Sequence, residues 1–384
     1  MKKTDRVCDG KLKIAMFGHK RVPSREGGVE VVVEELATRM VKEGHTVVLY
    51  NRKGHDSGNT DKQANYEGVI IKEVFTIDKA GFAAASSSFF AALRCIFGGY
   101  DIVHIHAEGP AVMCLLLRLF RKKMVVTVHG IDWQRAKWGG KFASKYIRLG
   151  EKMAVKHADR IIVLSQSMKD YFSETYHVET VFLPNGVKKP RIRPAENITT
   201  QWGLEKDDYI LYLGRIVPEK GIGYLIEAFK KVKTDKKLVI AGGASDTEEF
   251  AAEMKKFAQG DDRIIFTGFV QGRVKHELYS NAYVYTLPSD LEGMPLSLLE
   301  GMSYGNCCLT SDIDECSEVV EDKAVVFRKS DVEDLREKLQ LLCDEPQMVE
   351  NYKKDAAKFI LDKYNWDNIT DCTLKLYRSV CQGK

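Results

Sequence analysis

A loop rich in glycine and positive charge follows one of the most apolar segments of the chain. The segment 209–213 is apolar or aromatic throughout, and Gly214 and Arg215 follow it directly. Lys220 comes five residues later, ahead of a helix-length segment that begins near Gly223. A guanidinium can fork onto two phosphate oxygens, an ammonium adds a compact charge, and the N–H groups at a helix start favour an anion. The spacing predicts a phosphate-binding loop, although a strand–helix turn with surface charges has the same pattern.

Two glutamates eight residues apart flank a second predicted helix start. Glu292 precedes Pro295, a residue type suited to the first helical turn, and Glu300 falls within the helix that follows. Backbone N–H groups at 296–298 can meet phosphate or sugar oxygens, and a carboxylate inside the helix can accept both hydroxyls of a ribose. Taken alone, the pattern fits equally well a Glu292 that caps the helix and a Glu300 on the surface.

Histidines end two predicted strands in the first half of the chain. His104 and His106 alternate in the segment 101–106, a pattern that can hold a metal. We favour the alternative that this strand end lines a ligand cleft. The segment 129–138 follows the next strand and brings aromatics and cations together. It predicts a ligand-binding loop, against the alternative of a loop that packs its tryptophans.

The elements around these motifs must position them, and each motif follows a strand-like segment. Short apolar runs alternate with helix-length amphipathic runs from Lys13 onward, pause at a polar stretch over 188–200, and resume at Tyr209. Such alternation predicts two doubly wound, mostly parallel α/β domains in tandem. Ligands of such sheets bind at the carboxyl ends of the strands, which is where the motifs fall.

Composition limits the kind of protein. The chain has 384 residues, of which 44% are hydrophobic and 29% charged, as is typical of a globular protein with more than one domain. No apolar run approaches the roughly 20 residues of a membrane span, and the charged segment 1–13 lacks a signal region. The nine cysteines are irregularly spaced, which predicts reduced thiols rather than disulfides or a zinc site. We therefore expect a cytoplasmic protein.

Charge is distributed unevenly. Residues 1–188 contain 30 Lys and Arg against 20 Asp and Glu, a net +10, and the remainder contains 28 against 34, a net −6. A basic half indicates either an anionic partner or a solvated basic face. The segments 84–97 and 110–123 combine apolar residues with arginine and lysine, so they either rest on an anionic membrane surface or serve as ordinary core helices. No nucleic-acid module is present, so we expect no nucleic acid as partner.

The cationic loop and the pair of glutamates together resemble the family-4 glycosyltransferases of the GT-B fold, retaining enzymes that use nucleotide diphosphate sugars. The resemblance implies an α/β protein with two doubly wound Rossmann-like domains facing across a cleft. It implies an acceptor-side domain over 1–188, a nucleotide-sugar domain over 189–362, and a C-terminal helix over 363–384 that crosses back to the first domain. Other segments that carry the resemblance are Gly27-Gly28, His129-Gly130, Pro184-Asn185-Gly186-Val187, Gly268-Phe269-Val270 and Tyr364-Asn365-Trp366.

The resemblance also implies roles for individual residues. Arg215 and Lys220 would neutralise the diphosphate, and Glu300 would bind the ribose. Glu292 would hold the donor sugar, and His129 would contact that sugar near the reacting carbon. The other donor-site positions are Gly27, Gly28, Gly214, Phe269, Val270, Gly293, Met294, Pro295, Leu296, Ser297 and Leu298. The acceptor-side positions are Arg25, His106, Asp132, Trp133 and Arg135.

The loop 129–138 resembles that of a bacterial subgroup that builds surface polysaccharides, including rhamnose and N-acetylhexosamine transferases. It implies transfer of a hexose or N-acetylhexosamine to a saccharide or lipid-linked saccharide acceptor at the inner face of the plasma membrane. UDP is the expected nucleotide, and GDP, ADP and dTDP remain as alternatives. No metal or other cofactor is expected, because cations and helix N–H groups can stabilise the leaving diphosphate; Asp312-Ile313-Asp314 is accordingly given no metal role. A sugar-nucleotide epimerase of the same fold and a non-catalytic nucleotide-sugar-binding protein remain as alternatives.

Overall fold

The structure is a computed structural model that describes residues 10–25, 27–54, 65–77, 79, 82–131, 133, 141–244 and 248–383, with the backbone alone for 141 and 142. The described chain divides into two compact units. Unit 1 contains the residues up to Asn185 together with those from Trp366 onward, and unit 2 is Gly186–Asn365. Each unit is built on one β-sheet.

Strands and helices alternate along both units. The strands are β1 (Lys13–Phe17), β2 (Thr46–Arg52), β3 (Asn65–Tyr66), β4 (Val69–Val74), β5 (Ile102–His106), β6 (Met124–Val128), β7 (Arg160–Val163), β8 (Val181–Phe182), β9 (Tyr209–Leu213), β10 (Lys237–Ala241), β11 (Ile264–Gly268), β12 (Val284–Leu287), β13 (Cys307–Ser311) and β14 (Val325–Phe327). The α-helices are α1 (Gly28–Lys42), α2 (Phe82–Phe97), α3 (Cys114–Leu119), α4 (Lys141–His157), α5 (Gln166–Tyr176), α6 (Asn197–Trp202), α7 (Ile222–Lys230), α8 (Glu248–Ala258), α9 (Gly272–Asn281), α10 (Leu296–Ser303), α11 (Asp314–Val320), α12 (Val332–Asp344), α13 (Pro346–Lys363) and α14 (Trp366–Gln382). Short 3-10 turns occur at Gly109–Met113 and Pro218–Lys220.

The sheet of unit 1 joins its described strands in the order β3-β4-β2-β1-β5-β6-β7-β8. All pairings are parallel except that of β3, which lies antiparallel to β4 at the edge. The inner strands are near-continuous apolar runs because a parallel sheet is covered on both faces, and every residue of β5 and β6 is buried. The sheet grows in opposite directions from β1 and from β5, so its reversal point lies between these two strands.

The sheet of unit 2 is wholly parallel, with the order β11-β10-β9-β12-β13-β14. It grows from β9 through β10 to β11 and from β12 through β13 to β14, which puts the reversal point between β9 and β12. Tyr285 on β12 pairs with Leu211 on β9 at this junction, and both are fully buried. The core of unit 2 therefore runs directly beneath the loops that follow these two strands.

The last helix, α14, completes unit 1. The hydroxyl of Tyr377 is 2.6 Å from Nδ1 of His104 on β5, deep in the core. On the surface, Nε of Arg39 on α1 donates to Asp367 at 2.7 Å. One buried and one exposed contact thus hold the end of the chain to the sheet of unit 1. No helix in the described ranges has the length and apolar character that crossing a bilayer requires.

The predicted pair of doubly wound α/β units is confirmed by the two sheets. Helix α6 is a difference, because it begins inside the polar stretch 188–200 that the sequence indicates as a linker. Its cap comes from α9: one oxygen of the fully buried Glu277 accepts the backbone N–H groups of Asn197 at 2.7 Å and Ile198 at 3.1 Å. A carboxylate at a helix N-terminus satisfies N–H groups that otherwise have no partner. Helices α11 and α13 are likewise absent from the prediction.

Candidate active site

The predicted donor residues follow β9 and β12, the two strands at the reversal point of unit 2. Gly214 and Arg215 come directly after β9, and Lys220 ends the 3-10 turn that precedes α7. Glu292 lies in the loop that leads from β12 into α10. Because the two strands are parallel neighbours, both loops leave the same edge of the sheet. Ligands of open α/β sheets bind at this position.

Lys220 and Glu292 form an ion pair between the two loops. Their side chains are only 13% and 8% exposed, so the pair is largely shielded from water. The hydroxyl of Ser289, itself fully buried, donates at 2.6 Å to the same carboxylate oxygen, Oε1 of Glu292. Shielding strengthens the attraction and makes either charge costly to leave alone. The pair therefore fixes an ammonium and a carboxylate at the strand ends.

Gly221 allows the cationic loop to approach the loop after β12. Its φ of +66° lies in the left-handed region, and a β-carbon there would be 1.9 Å from the carbonyl oxygen of Pro288. Any side chain would force the two loops apart. The N–H of Asp290 donates to the carbonyl of Glu219 at 2.9 Å and closes the same contact. Sequence reasoning did not select this glycine, although its place directly after Lys220 is a usable signal.

Arg215 is held through its backbone carbonyl, whereas its guanidinium makes no hydrogen bond or ion pair within the described residues. The hydroxyl of Tyr212 donates to the Arg215 carbonyl at 2.7 Å. Burial raises the pKa of Tyr212 well above its ordinary value; Glu292 raises it further and Arg215 lowers it, so both charges lie close to this hydroxyl. Within the part of the chain that the structure describes, the half-buried side chain of Arg215 has no hydrogen-bond or ion-pair partner. Such a guanidinium is available to an anionic ligand.

Helix α10 starts without a side-chain cap. The position before its first residue is Pro295, which makes no capping hydrogen bond. The N–H of Leu298 turns back to the Pro295 carbonyl at 3.0 Å. The N–H groups of Leu296 and Ser297 precede any acceptor within the helix, so they can receive phosphate or sugar oxygens. The other predicted residues of this segment are buried in the approach to the helix: Gly293, Met294 and Pro295.

Glu300 lies one turn further along α10 and is held by two side chains of α9. Lys275 donates to its Oε1 at 2.6 Å, and the hydroxyl of Tyr279 donates to its Oε2 at 3.3 Å. The Glu300 side chain is 33% exposed, so its oxygens keep capacity for a ligand hydroxyl. Sequence reasoning missed Lys275, whose contact joins two helices. Its effect is to orient the carboxylate that the family resemblance assigns to the ribose.

Phe269 and Val270 follow β11, two strands from β9 in the same sheet. The Phe269 side chain is 53% exposed. It lies against Gly243, where an added β-carbon would be 3.4 Å from Cβ of Phe269. An exposed ring supported from behind offers the flat apolar face on which a nucleobase stacks. Base binding by this segment stays a prediction.

The histidines of unit 1 lie at the reversal point of its sheet. Gly18 follows β1 with φ of +113°, and a β-carbon there would be 2.0 Å from the carbonyl oxygen of His106 at the end of β5. Nδ1 of His106 and Nε2 of His129 are 3.0 Å apart. The neighbouring His104 is bracketed by Thr127 at 2.7 Å and by Tyr377 at 2.6 Å. Polar side chains thus connect β5, β6 and α14 in the core.

Burial keeps the imidazoles of His104, His106 and His19 neutral. It lowers the pKa of His104 to about 3, with His129 adding to the effect, and the pKa of His106 well below its ordinary value. Burial also lowers the pKa of His19 to about 4, against the opposing charge of Glu30. Among the described residues, Nε2 of His106 and Nδ1 of His19 have no hydrogen-bond partner. Neutral ring nitrogens of this kind can donate to, or accept from, a sugar hydroxyl.

In the segment before α1, Arg25 forms an ion pair with Glu34 of α1. Both terminal nitrogens of Arg25 donate to Glu34, at 2.9 and 2.6 Å, and Glu34 is almost fully buried. Gly27 is the N-cap of α1 and Gly28 its first residue. The charge of Arg25 therefore fixes the loop in front of α1, and its predicted contact with an acceptor stays a prediction.

The loop after β6 is described only in part. Trp133 lies with its ring 4.9 Å from the guanidinium of Arg148 on α4. Its indole nitrogen is buried and has no hydrogen-bond partner among the described residues. Asp132 and Arg135 lie outside the described residues. Acceptor binding by this loop therefore rests on the sequence.

Sequence reasoning also missed Ser289, His19 and Tyr377. Ser289 stands three residues before Glu292 in a loop that was already a candidate, so its position carries a local signal. His19 follows a strand and a glycine, which is also visible in the sequence. Tyr377 offers no such signal, because its partner His104 is 273 residues away.

Comparison with known proteins identifies the family. A model described as Glycosyltransferase Family 4 matches residues 26–189, and one described as Glycosyl transferases group 1 matches residues 195–359. The chain is a glycosyltransferase of this family. The first match contains His106 and His129, and the second contains Arg215, Lys220 and Glu292. The reversal point of unit 2 thus falls within a matched segment of this glycosyltransferase, and in unit 1 the match includes β5 and β6 but not β1.

The relatives named here align with this chain over nearly the whole length of both proteins. The chain is 26% identical to alpha-maltose-1-phosphate synthase from Mycolicibacterium smegmatis over 96% of this chain and 100% of that protein. Sucrose-phosphate synthase from Thermosynechococcus elongatus superposes with a TM-score of 0.82 at 20% identity, covering 97% of this chain and 100% of that one. Anabaena HepE in complex with UDP and glucose gives 0.79 at 14% identity, covering 96% and 100%. These likenesses establish the fold, and the GT-B prediction is confirmed.

Proposed function

We propose that this glycosyltransferase moves a hexose or N-acetylhexosamine from a nucleotide diphosphate sugar, with UDP as the nucleotide, to a saccharide acceptor with retention of configuration. The observation that carries the proposal is the shielded Lys220–Glu292 pair at the reversal point of unit 2. Arg215 precedes Lys220 on its loop, and its side chain has no partner among the described residues. Two neighbouring loops of unit 2 thus offer two cations and one carboxylate to a ligand that has both phosphates and hydroxyls.

The proposed chemistry follows from where charge develops. Breaking the bond between the sugar and the phosphate leaves a diphosphate with additional negative charge. Arg215 and Lys220 supply fixed positive charge, and the first-turn N–H groups of α10 supply oriented dipoles. Glu292, released from part of its pairing when phosphate oxygens reach Lys220, accepts hydroxyls of the sugar. A preorganised donor of this kind is typically worth ~10²–10³ in rate.

Retention is proposed to arise without a protein nucleophile. The acceptor would enter on the face that the leaving diphosphate vacates, and a phosphate oxygen would take the acceptor proton. The Lys220–Glu292 pair suits this route because Glu292 is already engaged by Lys220 and Ser289 and is therefore poorly placed to attack. We also propose that His106 and His129 bind hydroxyl groups, with His106 as a neutral imidazole that positions sugar without adding charge.

The choice of UDP draws on one relative and one side chain. Anabaena HepE is solved with UDP and glucose, and the exposed ring of Phe269 suits stacking with a base.

The mycobacterial relative is named for the product alpha-maltose 1-phosphate, which makes a small phosphorylated sugar the competing acceptor class. We propose a lipid-linked saccharide in surface polysaccharide synthesis, on the inner face of the plasma membrane. The described cysteines are free thiols, which suits the reducing cytoplasm.

The test is a panel of UDP-, GDP-, ADP- and dTDP-sugars, each incubated with no acceptor, with a polyprenyl-diphosphate-linked saccharide and with a sugar phosphate. The proposal expects nucleoside diphosphate release that depends on the lipid-linked acceptor and continues in excess EDTA. Conversion of the donor sugar without nucleotide release would instead identify an epimerase. Tight binding of the nucleotide sugar without any turnover across the panel would identify a non-catalytic binding protein.

A further inference from the structure

Helix α2 presents phenylalanines on the side that faces away from the core. Phe82, Phe89 and Phe97 recur at intervals of seven and eight residues, about two helical turns, so they share one face. Their exposed fractions are 58%, 43% and 83%. The opposite face of α2 already supplies the core through Ala91 and Cys95. The exposed phenylalanines are therefore not needed for packing within the unit.

The apolar surface extends on both sides of α2. Phe75, just after β4, makes an edge contact with Phe90 on α2 at 5.2 Å between ring centroids. Helix α3 packs next to α2 and adds Leu115, Leu119 and Phe120, which are 45%, 72% and 52% exposed. We call this surface the α2–α3 face. Monomeric soluble proteins rarely leave a contiguous apolar surface of this extent uncovered.

Positive charge surrounds the α2–α3 face. The sequence contains no Asp or Glu over 82–100 or over 109–123. Arg118 and Lys123 share Asp159. Arg94 and Arg121 have no ion-pair partner among the residues that the structure describes. An exposed apolar surface with cations at its border is the pattern of a helix that lies on an anionic bilayer.

A cavity opens at the C-terminal end of α2, continuous with this face. It measures about 390 Å³ and is lined by Lys13, Lys72 and Arg94, by the exposed ring of Phe97 and by two tyrosines. Those tyrosines are Tyr50 and Tyr100, whose hydroxyls are 2.8 Å apart. Lys13 begins β1, so the cavity lies toward the amino ends of the strands, away from the histidines at the carboxyl ends. Three cations with no lining carboxylate favour a phosphate group.

We propose that the α2–α3 face docks on an anionic membrane, with the exposed phenylalanines in the acyl–headgroup boundary and a lipid phosphate in the cavity formed by Lys13, Lys72 and Arg94. The inference rests on the membrane association proposed above and assigns it to a surface. A second copy of the chain is a poorer occupant, because a symmetric dimer would bring the same patch, and hence Arg94 and Arg121, against itself.

The test measures binding of the full chain to sedimented vesicles without donor or acceptor, so that it is independent of transfer activity. Vesicles of phosphatidylcholine alone are compared with equimolar phosphatidylcholine and phosphatidylglycerol, at low and high salt. The wild type should bind only the anionic vesicles, and high salt should weaken that binding. F89S/F97S should weaken it roughly tenfold or more, since each ring loses apolar burial. R94Q/K72Q should remove the preference for phosphatidylglycerol.

The matched control is F257S on α8, where Phe257 is 43% exposed and adjoins Lys255 and Lys256. It should bind vesicles like the wild type. Absence of wild-type binding to anionic vesicles, or equal loss in F257S and F89S/F97S, would overturn the proposal. So would a lipid-free dimer, seen by light scattering, that F89S/F97S converts to a monomer, because the face would then belong to self-association. Loss of transfer activity with vesicle binding intact would count against the proposed function alone.

Discussion

Replacing Lys220 with methionine separates the structural and the functional contribution of the buried ion pair. Methionine keeps the length of the side chain and removes the charge. Glu292, whose side chain is 8% exposed in the wild type, then keeps only the Ser289 hydroxyl as a hydrogen-bond donor among the described residues. Breaking a buried ion pair from one side costs about 3–5 kcal/mol. Because the Ser289 hydroxyl still donates to the carboxylate, we expect the lower part of this range.

A second substitution restores the charge balance. In K220M/E292Q the buried carboxylate is gone as well, so most of the lost free energy of unfolding should return. Activity should not return, because the diphosphate still lacks a cation. We expect turnover to fall roughly a hundredfold or more in both variants. Binding of UDP should weaken while binding of uridine, which has no phosphate, should be unchanged.

The measurements are urea unfolding of unit 2 by a local probe, calorimetric titration with UDP and uridine, and nucleotide release. K237M is the control, because Lys237 pairs with Asp208 at 2.9 Å with both side chains 31% exposed. That variant should lose less than about 1 kcal/mol and keep its turnover. Near-wild-type turnover in K220M, or recovery of turnover in the double variant, would refute the assignment of Lys220 to the diphosphate.

Three further predictions concern the surroundings of the site. K275M should raise the donor KM by up to about fivefold at unchanged kcat, because Glu300 loses its orienting partner in a half-exposed pair; a change in kcat alone would contradict this. Y377F should lower the free energy of unfolding of unit 1 by about 1–3 kcal/mol, since Nδ1 of His104 is left buried without its hydrogen-bond partner, and an unchanged urea midpoint would count against it. Below pH 6.5 the unfolded chain binds protons that the buried imidazoles of the folded chain do not bind. The free energy of unfolding should therefore decrease as the pH is lowered, by up to about 1.4 kcal/mol per pH unit for His104 alone, down to its folded pKa of about 3. H104Q should reduce that slope in urea titrations, and an identical slope would refute the contribution of His104.

Much of the fold could be predicted because its signals are local. Strand and helix periods repeat along the chain, and turns carry glycine and proline at their expected places. The rule that ligands bind at the carboxyl ends of parallel strands accounts for motifs that follow strands, and the family resemblance then joined Arg215, Lys220 and Glu292 in one predicted site. The structure places the loops that contain these residues at the reversal point of one sheet.

Several features escaped prediction because they join distant parts of the chain. The carboxylate that caps α6 comes from Glu277, about 80 residues later, so the segment looked like a linker. Lys275 orients Glu300 across two helices. The two faces of α2 are both apolar in sequence, and only the packing of the sheet decides that Phe89 and Phe97 are exposed.

The sequence by itself determined the class of fold, the two successive units and the residue types that suit a diphosphate, because periodicity and loop chemistry are properties of neighbouring residues. Tertiary structure decided which of those charges are paired and which are unpaired. Lys220 is neutralised by Glu292 from 72 residues away, whereas Arg215 has no partner among the described residues. Pairing depends on which loops the sheet brings together, and in unit 2 the order of β9 and β12 sets that proximity.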